Sequence, residues 1–278
     1  MNCTLCKEPL DPALETVGSH PNCFPFMEID EGDPFANRLK TSLMDVILWA
    51  EKLNPRGHQV AIGPSELGTV CDRRIGYRIA GVEPVNVDMD PWPMIMGTAV
   101  HTWLEQAFTV WNEANERTQA WLTETRLQLD QVVQGTSDLY SHEFRAVIDW
   151  KGAGPDVMRK VRKDGPPLGY QIQAQLYGYG YSLKGLPVDK VCLVFLPRAG
   201  WLKDMFVWCA DYDQNVAVGA IRRLYLIAQN LTNLDTLTYP DRWNDVPATP
   251  SNDCGWCPWY NPSSEMSDGA TNQGCPGR

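Results

Sequence analysis

The chain has 278 residues, with 24 Lys+Arg against 34 Asp+Glu and a formal net charge of -10 at pH 7. Hydrophobic residues make up 44% and charged residues 21%, a globular balance that excludes wholesale disorder. The acidic excess argues against a protein that simply coats nucleic acid, yet leaves room for a nuclease with a local basic path.

In chain order, the start MNCTLCKEPL is polar and Cys-rich, unlike a secretory signal. No apolar run approaches the roughly 20 residues that span a bilayer. The expectation is a soluble, cytoplasmic protein with no membrane partner and with reduced cysteines. Residues 1–25 carry Cys3-x2-Cys6 and His20-x2-Cys23, two chelating pairs with zinc-knuckle spacing. Residues 26–62 read as a helical lead-in, with an amphipathic helix over 36–53 that ends near Asn54-Pro55-Arg56-Gly57. Ser65 is the expected N-cap of a helix running through Leu67, Val70, Arg74 and Tyr77 to Gly81. A further helix over 94–113 has Val100, Leu104, Ala107, Phe108 and Trp111 as its apolar stripe. Strands are expected at 122–129, 134–140 and 144–151, a helix at 168–184, strands at 189–197 and 204–210, and a helix at 213–230. Residues 258–274 read as a loop. The order predicts an α/β or α+β domain over 63–278.

The chain has nine cysteines. Cys192 and Cys209 lie in apolar runs and read as inert strand residues in the core. Cys254, Cys257 and Cys275 are three ligands near the carboxyl end, and a closed thiolate site wants four. Elimination makes Cys71 the candidate fourth.

The chemistry concentrates in Gly135-Thr136-Ser137-Asp138 and Arg145-Ala-Val-Ile-Asp149-Trp-Lys151. Period two puts Asp149 and Lys151 on one strand face and Ile148 and Trp150 on the other. A hairpin through Tyr140–Glu143 would set Asp138 beside Asp149. Two such carboxylates repel unless a hard cation such as Mg²⁺ or Mn²⁺ joins them. Lys151 could steady an attacking hydroxide or the charge developing on a phosphate. An exposed hairpin with a surface Asp and Lys has the same bare pattern. His101 and Glu105 stand one helical turn apart. Gln173 and Tyr177 do the same, and alone they read as the wet face of a helix with Ile172, Leu176 and Leu183 opposite.

These pieces, in this order, resemble the RecB-like branch of the PD-(D/E)XK nuclease superfamily. Gly97-x3-His101-x3-Glu105, Gly135-x2-Asp138, Asp149-x-Lys151 and Gln173-x3-Tyr177 match its motifs. The segment Ser65–Tyr77 resembles the iron–sulfur subgroup that includes CRISPR-associated and phage exonucleases. The resemblance implies a restriction-endonuclease-like α/β core, a mixed sheet flanked by helices, acting on DNA that is single-stranded or has free ends. It implies Mg²⁺ or Mn²⁺ on His101, Asp138, Asp149 and the Trp150 carbonyl. Lys151, Gln173 and Tyr177 would serve catalysis, and Glu105 would support the metal ligands. It further implies a 4Fe–4S cluster on Cys71, Cys254, Cys257 and Cys275. The gap between Cys257 and Cys275 is longer than the subgroup's usual spacing, and zinc is the alternative for the same thiolates. The implied activity is a single-stranded DNA exonuclease, 5′ to 3′, in a bacterial or phage-infected cell. The alternative is a non-catalytic nucleic-acid-binding or adaptor protein on the same fold. The knuckle lies outside the family core and would be a module for DNA or a protein partner. Arg159, Lys160, Arg162 and Lys163, after the Asp149 strand, form one expected DNA path; Arg73, Arg74 and Arg78 form a second.

Overall fold

The computed structural model describes residues 34–52, 62–87, 90–116, 120–266 and 274–277. Cys3, Cys6, His20 and Cys23 lie outside the described residues. The chain divides into two compact units, Met1–Gly57 and His58–Arg278. Helix α1 (Pro34–Lys52) is the described part of the first.

The second unit opens with two short helices, α2 (Pro64–Leu67) and α3 (Asp72–Ile79), where the periodicity predicts one. Gly63 rather than Ser65 caps α2, and its N–H donates to the Glu66 carboxylate at 3.2 Å. Arg223 holds the break between the helices. Its Nη1 donates to the Thr69 carbonyl at 2.6 Å and its Nε to Asp72 at 2.7 Å. Helix α4 (Trp92–Ala114) follows, then strands β1 (Trp121–Gln128), β2 (Gln134–Ser141) and β3 (Ala146–Ala153). The basic run after β3 is helix α5 (Pro155–Asp164). Only Met158 and Val161 of α5 are buried, too thin an apolar stripe to announce a helix in the sequence. Helix α6 (Leu168–Leu183), strands β4 (Lys190–Pro197) and β5 (Phe206–Asp211), and helix α7 (Gln214–Leu234) complete the core.

The five strands form one mixed sheet in the order β1-β2-β3-β4-β5. Only β3 and β4 are parallel, joined through α5 and α6; the other neighbours are antiparallel. On one face Leu127, Tyr140, Val147, Val191 and Leu193 pack with Ala174, Tyr177 and Tyr181 of α6, and Ala217, Ile221 and Leu224 of α7 belong to the same core. On the other face Leu139, Trp150 and Val194 pack with Leu104 and Phe108 of α4. The chain is thus a mixed α/β fold with helices on both faces of the sheet. Among the described residues no helix is long and apolar enough to cross a membrane.

Cys192 and Cys209 differ from their expected role as inert core thiols. They stand opposite one another in the β4–β5 register, with Cα atoms 4.1 Å apart, and form a disulfide. Cys192 is buried, but Cys209 lies on the exposed side of the edge strand. Sequence placed both in apolar runs; their cross-strand pairing was visible only once the register was known.

Gly135 has a packing reason. A β-carbon there would sit 2.6 Å from Pro64 Cδ and 3.5 Å from Tyr177 Cε1. Gly135→Ala is therefore expected to destabilise the protein by about 1–3 kcal/mol through overpacking. A urea melt with an unchanged midpoint would show that Pro64 yields without cost.

Candidate active site

Strand β3 brings Asp149 and Lys151 to the face covered by α6, as its alternation predicts. Asp149 is 2% exposed. Its Oδ1 accepts from Gln173 Nε2 at 3.0 Å, and its Oδ2 meets Lys151 Nζ at 2.7 Å. Lys151 Nζ also donates to Gln173 Oε1 at 3.1 Å, closing a triangle of side chains. The Tyr170 ring lies under the same ammonium, 4.6 Å from nitrogen to ring centroid. Gln173 and Tyr177 are both buried, so the expected wet face of α6 is in fact the face turned to the sheet. A buried charge needs hydrogen-bonding partners, and that need overrides the polarity pattern. Burial pushes the Asp149 carboxyl up to about 6, against the pull of Lys151, and the nearby Asp138 adds to the rise. Burial lowers the Lys151 ammonium, but Asp149 outweighs it and the net direction is upward. Burial also pushes the Tyr177 hydroxyl far up.

A second group assembles where the sheet loses its regularity. The β1–β2 register runs from Trp121↔Ser141 to Gln128↔Gln134 but skips Glu124 and Asp138, which fall opposite one another. Glu124 has φ of 39°, in the left-handed region that a non-glycine strand residue seldom enters. Side-chain alternation slips at this point. Leu139 packs in the α4-side cluster, whereas Ser137, two residues earlier, lies beside Tyr181 of α6. The slip frees Asp138 to reach in two directions. Its Oδ2 accepts the Trp150 N–H at 2.8 Å, and its Oδ1 lies 3.3 Å from His101 Nδ1. His101 reaches down from α4. Glu124, Asp138 and His101 each offer a ligand atom, all within 4.8 Å of one another. The hydrogen bond to Asp138 raises the His101 pKa, against the opposing effect of burial. Glu124 was missing from the sequence-based set, because a lone Glu in an alternating Thr-Glu-Thr strand carries no signal until β1 is paired with β2. Glu105 is half-buried one turn beyond His101 and outside this three-residue group. Among the described residues, a side chain at Gly97 would meet open space, so packing gives no account of that motif glycine.

Cys71, Cys254, Cys257 and Cys275 are free thiols that line one cavity of about 520 Å³, together with Arg74, Tyr77, Tyr170 and Trp256. Arg73 departs from its expected place on a DNA-binding face. It is buried, donating from Nε to the Val246 carbonyl at 3.0 Å and from Nη2 to the Asn244 carbonyl at 3.3 Å. Its Nη1 lies 3.5 Å from Cys275 Sγ. The carboxyl-terminal tail folds back over α3 and captures this guanidinium. Arg74 is half-buried in the cavity wall, and Arg78 pairs with Glu66 at 2.8 Å. Arg159, Lys160, Arg162 and Lys163 are exposed on α5.

The chemistry of the donor set, an imidazole and two carboxylates beside a third buried carboxylate, fits a divalent cation such as Mg²⁺ or Mn²⁺. Cation binding must displace the protons favoured on Asp149 and His101, whose pKa values are both raised. Mn²⁺ affinity, measured by titration calorimetry, is expected to strengthen as pH rises from about 5 to about 8; a flat profile would refute this. The linkage to metal-free stability has the opposite sign. The folded protein favours protonated Asp149, so its contribution is present below the ordinary carboxyl range and is lost as pH rises through about 6.

No known family model matches the chain, and no curated protein matches it in sequence. Among solved structures it is similar to an alkaline exonuclease from Laribacter hongkongensis, at 13% identity and a TM-score of 0.43, over 63% of this chain and 89% of that one. The same exonuclease in complex with dAMP gives 12% identity and a TM-score of 0.43 over the same shares, 63% and 89%. A phage-related exonuclease from Haemophilus somnus 129PT is similar at 14% identity and a TM-score of 0.41, over 59% of this chain and 81% of that one.

Proposed function

We propose that the chain is a metal-dependent DNA nuclease, and that it acts as an exonuclease on single strands, 5′ to 3′. One observation carries the reading: His101, Glu124 and Asp138 gather at a break in the sheet, directly beside the buried Asp149–Lys151–Gln173 triangle. Holding these charges together costs stability, and phosphodiester hydrolysis is chemistry that uses them. The single-strand preference and the polarity rest on the motif resemblance alone.

His101, Asp138, Asp149 and the Trp150 carbonyl would hold the cation, with Glu124 as a further donor. In an extended strand the N–H and C=O of one residue point to the same neighbour. The Trp150 N–H reaches Asp138, so its carbonyl is directed to the same opening. When bound, Mg²⁺ or Mn²⁺ supplies an acidified water and neutralises charge on the phosphate. Lys151 contributes a fixed positive charge for the oxygen that gains negative charge. Gln173 donates to Asp149 and accepts from Lys151, fixing both rotamers, and the Tyr170 face holds the ammonium from below. Tyr177 remains a neutral hydroxyl packed against this group.

The four cysteines lining one cavity support a structural 4Fe–4S cluster on Cys71, Cys254, Cys257 and Cys275. Zinc is the alternative for the same four thiolates. The cluster would tie α3 to the tail. Purified protein is then expected to be brown and to lose its absorbance near ~400 nm in Cys71→Ser. A colourless protein carrying zinc alone would refute the cluster.

End-labelled single-stranded DNA is expected to be cut with Mn²⁺ and not with EDTA. Asp149→Ala and Lys151→Ala should each lower the rate by about 10²-fold or more. Equal products from wild type and Asp149→Ala would sink the nuclease reading.

A further inference from the structure

The turn between β4 and β5 presents an aromatic side chain beside the basic helix that follows the catalytic strand. Trp201 is 72% exposed and Leu202 74%. The turn that carries them is firmly built. Asp204 N–H donates to the Trp201 carbonyl at 2.9 Å, and Trp201 N–H donates to Asp204 Oδ2 at 3.3 Å. Gly200, at φ of 122°, makes the reversal that brings these groups together. Arg162 of α5 donates to the Asp204 carbonyl, so the turn and the basic helix are tied directly. A tryptophan held out by such a turn pays little additional conformational entropy when it meets a ligand.

The position relative to the chemistry follows from the register. Lys151 pairs with Phe195, and the turn leaves β4 at Arg198, three residues on. At strand rise that is about 10 Å from the catalytic lysine's row of the sheet. Arg198 N–H donates to the Ala153 carbonyl at 2.9 Å, and its side chain lies over Gly152, the residue after Lys151. Arg159 and Arg162 of α5 line a small cavity together with Asp204 of the turn, and Lys160 and Lys163 are exposed on the same helix. Cations follow a phosphate backbone and carry no base preference, whereas an exposed indole offers a flat face to an unpaired base.

We propose that Trp201 is a base-stacking platform for single-stranded DNA, with α5 tracking the backbone that leads to the Asp149–Lys151 site. Charge complementarity commits the surface to nucleic acid: α5 exposes Arg159, Lys160, Arg162 and Lys163 against Asp156 and Asp164, an excess suited to a phosphate backbone. The inference deepens the nuclease reading and rests on it for the placement of the strand. It does not need hydrolysis to be tested.

The test is fluorescence anisotropy with a labelled single-stranded oligonucleotide in EDTA, at several salt concentrations. Trp201→Ala and Trp201→Leu should each weaken binding on the order of tenfold, and Trp201→Phe should hold most of the affinity. The salt slope should stay the same in all three, whereas Lys160→Ala with Lys163→Ala should make it shallower. An abasic site moved along the oligonucleotide should cost wild type affinity at one position and cost Trp201→Leu nothing there. Wild-type affinity in Trp201→Ala and Trp201→Leu, or identical abasic scans for wild type and Trp201→Leu, overturns the platform. These binding outcomes are separate from the Mn²⁺-dependent cleavage assay. Trp201-dependent binding without any cleavage would keep the platform and remove the nuclease reading.

Discussion

The buried carboxylate of Asp149 is the constraint around which the second unit is arranged. A charge with 2% exposure has lost nearly all its water, and Lys151 and Gln173 take the place of that water. Those two contacts dictate much else. Strand β3 must run regularly through Val147, Asp149 and Lys151, and α6 must turn its polar pair inward. Apolar neighbours, among them Val147, Leu176 and Leu193, then surround the group on the core side. A buried ion pair of this kind is a poor source of stability, because desolvation consumes most of its attraction. Leucine or methionine in the same volume would hold the sheet and α6 together at least as well. The pair is therefore held in place by the fold, rather than the fold being held together by the pair.

The break at Glu124 and Asp138 complements that rigid triangle. A regular β1–β2 ladder would hold the two side chains in strict alternation with their neighbours. The left-handed backbone at Glu124 breaks the alternation, at a local cost on the order of 1–3 kcal/mol. In exchange the two carboxylates sit at a seam that α4 can reach with His101 while Asp138 still accepts a hydrogen bond from β3. One slip therefore joins groups delivered from both faces of the sheet.

This logic also separates what the sequence could say from what it could not. Strand β3 was legible because the Asp149–Lys151 face and the Ile148–Trp150 face alternate with period two, and α4 and α6 because their apolar residues recur at helical spacing. Helix α5 was not, since it is charged on most of its surface. Arg73 looked like one of three surface cations and is instead a buried donor to the tail, a role set by residues more than 170 positions away. Glu124 and the Cys192–Cys209 pair share that limitation. Each acquires its meaning from a strand register, which local pattern does not encode. The residues named from motif order were those whose neighbours are close in sequence or whose element was unambiguous.

Tyr170 shows how the tail and the Asp149–Lys151–Gln173 group become one structure. Its ring supports the Lys151 ammonium on one side and forms part of the wall of the cysteine cavity on the other. Tyr77, in the wall of that cavity, packs against Trp243 with tilted rings 4.3 Å apart and approaches Trp259 at 5.8 Å, while Trp259 donates to the Val82 carbonyl at 2.7 Å. The tail is thus held on α3 by aromatic packing and by the Arg73 hydrogen bonds, independently of any group bound to the sulfurs. On the proposed reading, a cluster on the four sulfurs would fill the cavity that Tyr170 borders. The packing of that cavity and the orientation of Lys151 are thus parts of one problem, because a single ring belongs to both.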